Sequence, residues 1–338
     1  MIKTLVLSTL AISFAFANPL VKQAKEAGLV ALPESMKDIR KLTDNPVNPM
    51  TKAKVELGKM LFFEPRISKS GLISCNTCHN LATGGVDGVA AAIGHKWTAN
   101  PHHLNSPTVY NAVFFDAQFW DGRDPDLEKQ AQGPILAGPE MAATKEHVVN
   151  TVTSMPDYVE AFKTAYGEKV NIDYKMITDT IGLFERTLVT PAPFDDFLNG
   201  NNHAMNEAEK KGLQTFIEKG CTSCHSGVAL GGTMREFAVM GKYKYADVGD
   251  FKGNKDGLVK VPTLRNINET APYFHNGAVT TLKEAIVEMG RIQLGLKITD
   301  KEAASIETFF NALEGKKPAI VYPQLPNPTA TTPAKDVN

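Results

Sequence analysis

The sequence predicts a mainly helical protein built from two tandem, related units with long loops. Three observations predict it. The pentapeptide Cys75-Asn76-Thr77-Cys78-His79 returns as Cys221-Thr222-Ser223-Cys224-His225. The residues around each copy correspond in the same order, as an internal duplication requires. Apolar residues recur at helical spacing, while strand-like alternation is scarce.

The repeated pentapeptide has the form C-x-x-C-H, the attachment signature of c-type haem. Two thiols add across the porphyrin vinyl groups, and the adjacent histidine reaches under the ring to the iron. A redox dithiol, half a zinc site or a disulfide pair are the alternatives. A zinc ribbon needs no histidine directly after the second cysteine, and a redox dithiol does not ordinarily come twice. The two motifs use all four cysteines of the chain. Two cytochrome-c-like domains, each with one covalently bound c-type haem, are therefore expected.

Residues 1–17 carry Lys3, an apolar run and Ala15-Phe16-Ala17, the pattern of a secretory signal peptide. Its apolar run is short and contains Ser and Thr, which weighs against a membrane anchor. Haem attachment of this kind occurs outside the cytoplasm, so a periplasmic protein with no membrane span is expected. A formal charge of −1 makes no case for nucleic acid or a polybasic membrane contact.

The first domain is expected over residues 18–190, with an N-terminal extension in which Pro33, Pro46 and Pro49 break any long helix. A short helix is expected from Pro19 to Gly28. Residues 51–64 read as an amphipathic helix with Val55, Leu57, Leu61 and Phe62 on its apolar side, Thr51 as its cap and Pro65 as its stop. Another helical segment runs from Tyr174 to Leu188 before a junction at Pro191-Ala192-Pro193.

The second domain is expected over residues 191–320. Asn206 can cap a helix whose Leu213, Phe216 and Ile217 form a stripe leading to Cys221. Gly58 aligns with Gly212, Pro107–Asn111 with Pro262–Asn266, and Phe119-Trp120-Asp121-Gly122 with Phe274-His275-Asn276-Gly277. Leu127 and Leu282 then follow their glycines at equal distance. Residues 321–338, rich in Pro, Thr and Ala, are expected as a wrapping arm or a disordered tail.

His79 and His225 are the proximal haem ligands by the motif itself. Opposite the first iron, His95 is a candidate in a Gly- and Ala-rich loop, with His102 and His103 as rivals. Opposite the second, Met289 is a candidate, with Met234 and Met240 nearer the motif. Each also has an ordinary reading: a loop histidine on the surface, a methionine in the core.

The motifs GHKW, N-S-P-T-V-x-N, Q-F-W-D-G-R, D-L-x-x-Q-A, G-P-E-M, P-T-L-R-N and M-G-x-x-Q-L-G together resemble the bacterial di-haem cytochrome c peroxidases. The likeness spans nearly the whole mature chain. It implies a low-potential N-terminal haem that reduces hydrogen peroxide, with His79 and a displaceable His95. It implies a high-potential C-terminal haem that receives electrons, with His225 and Met289. Trp120 then lies between the haems, and Gln130 and Glu140 contact and activate peroxide. By themselves Trp120 reads as a core aromatic and Glu140 as a surface carboxylate or cap. The resemblance also implies one calcium ion held by Asn105, Thr270 and Pro272, a small cytochrome c or cupredoxin-like donor, and a homodimer. His275, at the position matching Trp120, is a supporting candidate.

Two other functions compete. A di-haem electron carrier would keep both irons permanently six-coordinate. An enzyme modifying a protein substrate would resemble the peroxidases but replace the distal methionine by tyrosine, and Met289 counts against it.

Overall fold

A computed structural model describes residues 18–337; the expected signal peptide lies outside the described residues. The first half contains α1 (Pro19–Glu26), α2 (Met36–Thr43), α3 (Lys52–Phe62), α4 (Cys75–Cys78), α5 (Leu127–Gln130), α6 (Gln132–Leu136), α7 (Lys145–Thr153), α8 (Pro156–Tyr166) and α9 (Tyr174–Glu185). The second contains α10 (Pro193–Leu198), α11 (Glu207–Glu218), α12 (Leu282–Gln293) and α13 (Asp300–Phe310). Strands β1 (Met234–Glu236) and β2 (Leu258–Lys260) form an antiparallel pair with Arg235 opposite Val259.

The helix caps follow from side-chain chemistry. Thr51 Oγ1 accepts the Lys54 N–H, and Asn206 Oδ1 accepts the N–H groups of Ala208 and Glu209, so orphan donors at both helix starts are satisfied. Leu57, Leu61 and Phe62 of α3 are buried, as are Leu213 and Phe216 of α11.

Each half is organised around one helix crossing. Helix α3 packs on α9, and α11 packs on α13. A side chain at Gly58 would collide with the Thr180 carbonyl, and one at Gly212 with the Ser305 carbonyl. These aligned glycines let the backbones approach closely in both halves. The duplication extends to the loops. Asn111 (φ 62°) and Asn266 (φ 58°) both adopt the left-handed conformation, and their side-chain amides both donate to Thr190 Oγ1, at 2.8 and 2.9 Å.

Two apolar cores result. The first gathers Leu57, Phe62, Tyr158, Ile181 and Phe184, and the second gathers Phe194, Leu213, Phe216, Phe309 and Phe310. The chain termini cross between them. Val21, Ala24 and Leu29 belong to the second core, so the N-terminal extension reaches across to the second half. Helix α1 buries Val21 and Ala24, one turn apart, and the chain behind it is held where the Gly227 N–H donates to Gly28 O at 2.8 Å. Reciprocally, Ile320 and Leu325 of the C-terminal segment pack on the first core, so the wrapping-arm alternative is the one observed. Among the described residues, no helix is long and apolar enough to cross a membrane.

Candidate haem and peroxide sites

Both C-x-x-C-H motifs sit on short helical turns at the end of a core crossing. His79 Nδ1–H donates to the Pro107 carbonyl at 2.9 Å, and His225 Nδ1–H donates to the Leu230 carbonyl at 3.1 Å. A carbonyl only accepts, so Nδ1 carries the proton and Nε2 keeps the lone pair needed for a metal. Burial keeps both imidazoles neutral: it lowers His79 and takes His225 down to about 4.

The cysteines are not joined in disulfides. Burial raises the Cys75 thiol strongly, Cys78 to about 12 and Cys221 to about 11. A redox dithiol requires the opposite shift, so this environment disfavours that reading.

In the second half, Cys221, Cys224, His225 and Met289 line one predominantly apolar cavity, together with Phe216, Leu282 and Phe310. Met234 instead lies against Gly122, and Met240 is 63% exposed beside Gly295. Thiols, a free imidazole nitrogen and a thioether around an apolar space are a donor set that fits a covalently held haem.

The first half has different surroundings. The His95 N–H donates to the Glu140 carbonyl at 2.6 Å, so the candidate distal histidine and the candidate acid–base residue are stitched together. A side chain at Gly94 would collide with the Pro139 carbonyl, so glycine permits this approach. His95 Nδ1 is buried without a hydrogen-bond partner. The rivals are engaged elsewhere: exposed His102 pairs with Asp250 at 2.9 Å, and His103 Nδ1 meets the Asn276 carbonyl at 3.1 Å. Burial raises the Glu140 carboxyl, opposed by the charge of Arg123, whose guanidinium stacks 3.4 Å over Phe119. Gln130 ends α5 half-buried.

Trp120 and His275 lie between the halves. Trp120 Nε1–H donates to the Asn105 carbonyl at 2.9 Å, and the Asn105 N–H donates to the His275 carbonyl at the same distance. Asn105, Thr270 and Pro272 all border the second-half cavity. The Asn105 side-chain amide donates to Val89 O at 2.8 Å, which leaves its Oδ1 free. Among the described residues, neither this oxygen nor the Thr270 and Pro272 carbonyls accept a hydrogen bond. Three unengaged neutral oxygens suit a hard cation that keeps several waters.

Sequence reasoning passed over three buried or neighbouring charges. Arg123 was present only as the last letter of a motif. Glu185, 5% exposed, is raised to about 8 by burial and by the nearby Glu128 charge. Lys260, 3% exposed, lines the second-half cavity. Both lie at helix or strand ends, where a charge ordinarily reads as solvated.

Tandem helical units, each with a C-x-x-C-H turn and a protonated Nδ1 behind its histidine, define a di-haem c-type protein. A sequence profile described as "Di-haem cytochrome c peroxidase" matches residues 52–203. The cytochrome c551 peroxidase of Pseudomonas aeruginosa is 41% identical over 94% of this chain and 94% of its own. That of Nitrosomonas europaea is 44% identical over 91% of this chain and 92% of its own. Among solved structures, a MauG-like protein associated with microbial copper homeostasis superposes with a TM-score of 0.70 and 27% identity, over 81% of this chain and 93% of that one. The chain belongs to the di-haem cytochrome c peroxidase family of oxidoreductases, and membership implies two c-type haems.

Proposed function

We propose that this chain reduces hydrogen peroxide to two waters in the periplasm, using two protons and two electrons from a reduced small cytochrome c or cupredoxin-like donor. The contrast between the two sites carries the reading. One offers a loop histidine bonded to the backbone of a half-buried glutamate; the other offers a thioether in an apolar cavity.

When bound, the haems would supply redox-active iron, and a thioether donor from Met289 would give the C-terminal one the higher potential. His79 and His225 would hold the two haem irons, through nitrogens whose direction the Pro107 and Leu230 carbonyls fix. Met289 keeps the second site closed. His95 would cover the first site and would give way to substrate once the protein has taken up an electron. Its loop is suited to movement because Lys96, Trp97, Thr98 and Ala99 are exposed and bury little.

Withdrawal of His95 gives peroxide access to Glu140. That carboxyl, whose pKa burial raises, moves a proton from one peroxide oxygen to the other, and Gln130 orients the substrate. Trp120 links the halves for electron transfer. Asn105 Oδ1 and the Thr270 and Pro272 carbonyls would hold a calcium ion between the halves. The working assembly is a homodimer of chains with two domains, 18–190 and 191–320.

Spectra of the fully oxidised and half-reduced holoprotein, with peroxide turnover, test this. Half-reduction should convert the first haem from low to high spin and switch on turnover. Two haems that stay low-spin, with no turnover, would make the chain an electron carrier. Glu140→Ala should keep both haems and abolish turnover; full activity would refute its role.

A further inference from the structure

Lys260 ends β2 in the interior of the protein. Its backbone N–H donates to the Trp120 carbonyl at 2.8 Å, which ties the strand to the contact between the halves. The side chain is 3% exposed and lines the same cavity as Cys221, Cys224, His225 and Met289, a cavity that Ser106, Pro107 and Thr108 of the first half also border, and its charge reaches His79. No carboxylate of the described residues pairs with its ammonium. Asp121, whose charge it feels, is committed to Arg123 at 2.8 Å.

What Lys260 does have is the face of Phe115, with Nζ 4.8 Å from the ring centroid. A cation–π contact recovers only part of what it costs to take an ammonium out of water. The protein alone therefore leaves this cation undercompensated, and burial lowers it to about 7. Arg235, also at the cavity, differs because it is exposed and water can solvate it. A cavity that presents a buried cation without a counter-ion is shaped for a ligand that brings an anion. Haem is apolar over its ring and carries two carboxylates, its propionates.

We propose that the Lys260 ammonium is the counter-ion of a propionate carboxylate on the haem attached at Cys221 and Cys224. Lys260 is thus a positioning residue. It would hold that propionate on the side of the cavity bordered by Trp120 and Asn105, and its charge would favour the reduced iron. This rests on the reading of the cavity as the second haem's site, which haem content at Cys221 and Cys224 tests separately.

The experiment uses holoprotein of the wild type, Lys260→Met and Lys260→Arg. Intact mass and peptide mapping give haem occupancy at each motif, and spectroelectrochemical titration gives each midpoint. The expected result is full occupancy in all three. In Lys260→Met the one-electron equilibrium of the C-terminal haem should shift about tenfold toward the oxidised form, which is about 59 mV. Lys260→Arg should stay near wild type. Selective loss of the second haem in Lys260→Met, restored by arginine, supports the same pairing. Full loading with an unmoved midpoint in Lys260→Met overturns it, as does an arginine variant that behaves like methionine. Wild-type protein without haem at Cys221 and Cys224 would overturn the underlying reading as well.

Discussion

Trp120 and His275 meet edge to face between the two halves, with ring centroids 6.3 Å apart and planes inclined at 73°. They occupy the same position of a duplicated loop. The preceding residues, Phe119 and Phe274, both take the left-handed conformation, at φ 66° and 68°. A bulky residue in that region costs of order 1–3 kcal/mol, and its presence in both copies marks a loop held by its surroundings. Replacement of Trp120 separates structure from electron transfer. Trp120→Phe loses the hydrogen bond to Asn105 and part of the buried ring, and should lower stability by about 1–2 kcal/mol. Trp120→Ala should cost about 3–5 kcal/mol and slow electron transfer from the second haem to the first. Stopped-flow reoxidation of half-reduced protein checks this; an unchanged rate in Trp120→Ala would remove the ring from the route.

The pair of Arg265 and Asp195 explains one motif residue without invoking catalysis. Arg265 is fully buried, donates to both Asp195 oxygens at 2.8 and 2.7 Å, and donates a third bond to the Val228 carbonyl at 2.6 Å. Asp195 also accepts the N–H groups of Leu32 and Ala192. Removing one partner leaves a buried charge, so Arg265→Leu should destabilise by about 3–5 kcal/mol. Urea denaturation with an unchanged slope measures it. A loss below about 1 kcal/mol would show that the pair contributes little beyond a hydrophobic replacement.

Much of this arrangement was legible in the sequence, and the losses have physical causes. Caps at Thr51 and Asn206 and the aligned Gly58 and Gly212 are local signals, and each has its expected structural counterpart. Nothing in Val21 and Ala24 says which of two similar apolar cores they will join. Choosing His95 over His102 and His103 depends on the backbone of Glu140, forty-five residues on. Main-chain carbonyls such as those of Thr270 and Pro272 leave no residue-type signal at all.

The Glu185 carboxyl provides a pH test. Burial raises it from 4.5 to about 8, so the folded state holds a proton that the unfolded chain has released across that interval. Stability therefore falls as pH rises from about 4.5 to about 8, because ionisation in the fold is opposed. Glu185→Gln should remove that part of the decline. Thermal midpoints of wild type and variant, compared at intervals over this range, should converge at the acid end and separate at the alkaline end. Parallel curves would mean that Glu185 is ionised in the fold.

The C-terminal arm offers a test of which force holds it. Tyr322 meets Phe63 edge to face at 5.0 Å, Ile320 and Leu325 pack on the first core, and Thr329 Oγ1–H donates to Ser154 O at 2.9 Å. Farther along, Asp336 pairs with Lys69 at 3.1 Å and Lys96 at 3.6 Å, the latter beside His95. Those ion pairs are exposed and screened by water, so they contribute little, while partial burial of two aliphatic side chains and a tyrosine contributes about 1–3 kcal/mol. Apolar contact should therefore dominate. Ending the chain after Lys317 should lower stability by that larger amount and raise amide exchange in α3, with α11 and α13 little affected. About 1 M salt shortens the screening length to about 3 Å, yet should not reproduce the effect. If salt alone matched the truncation, the ion pairs beside the His95 loop would be what anchors the arm.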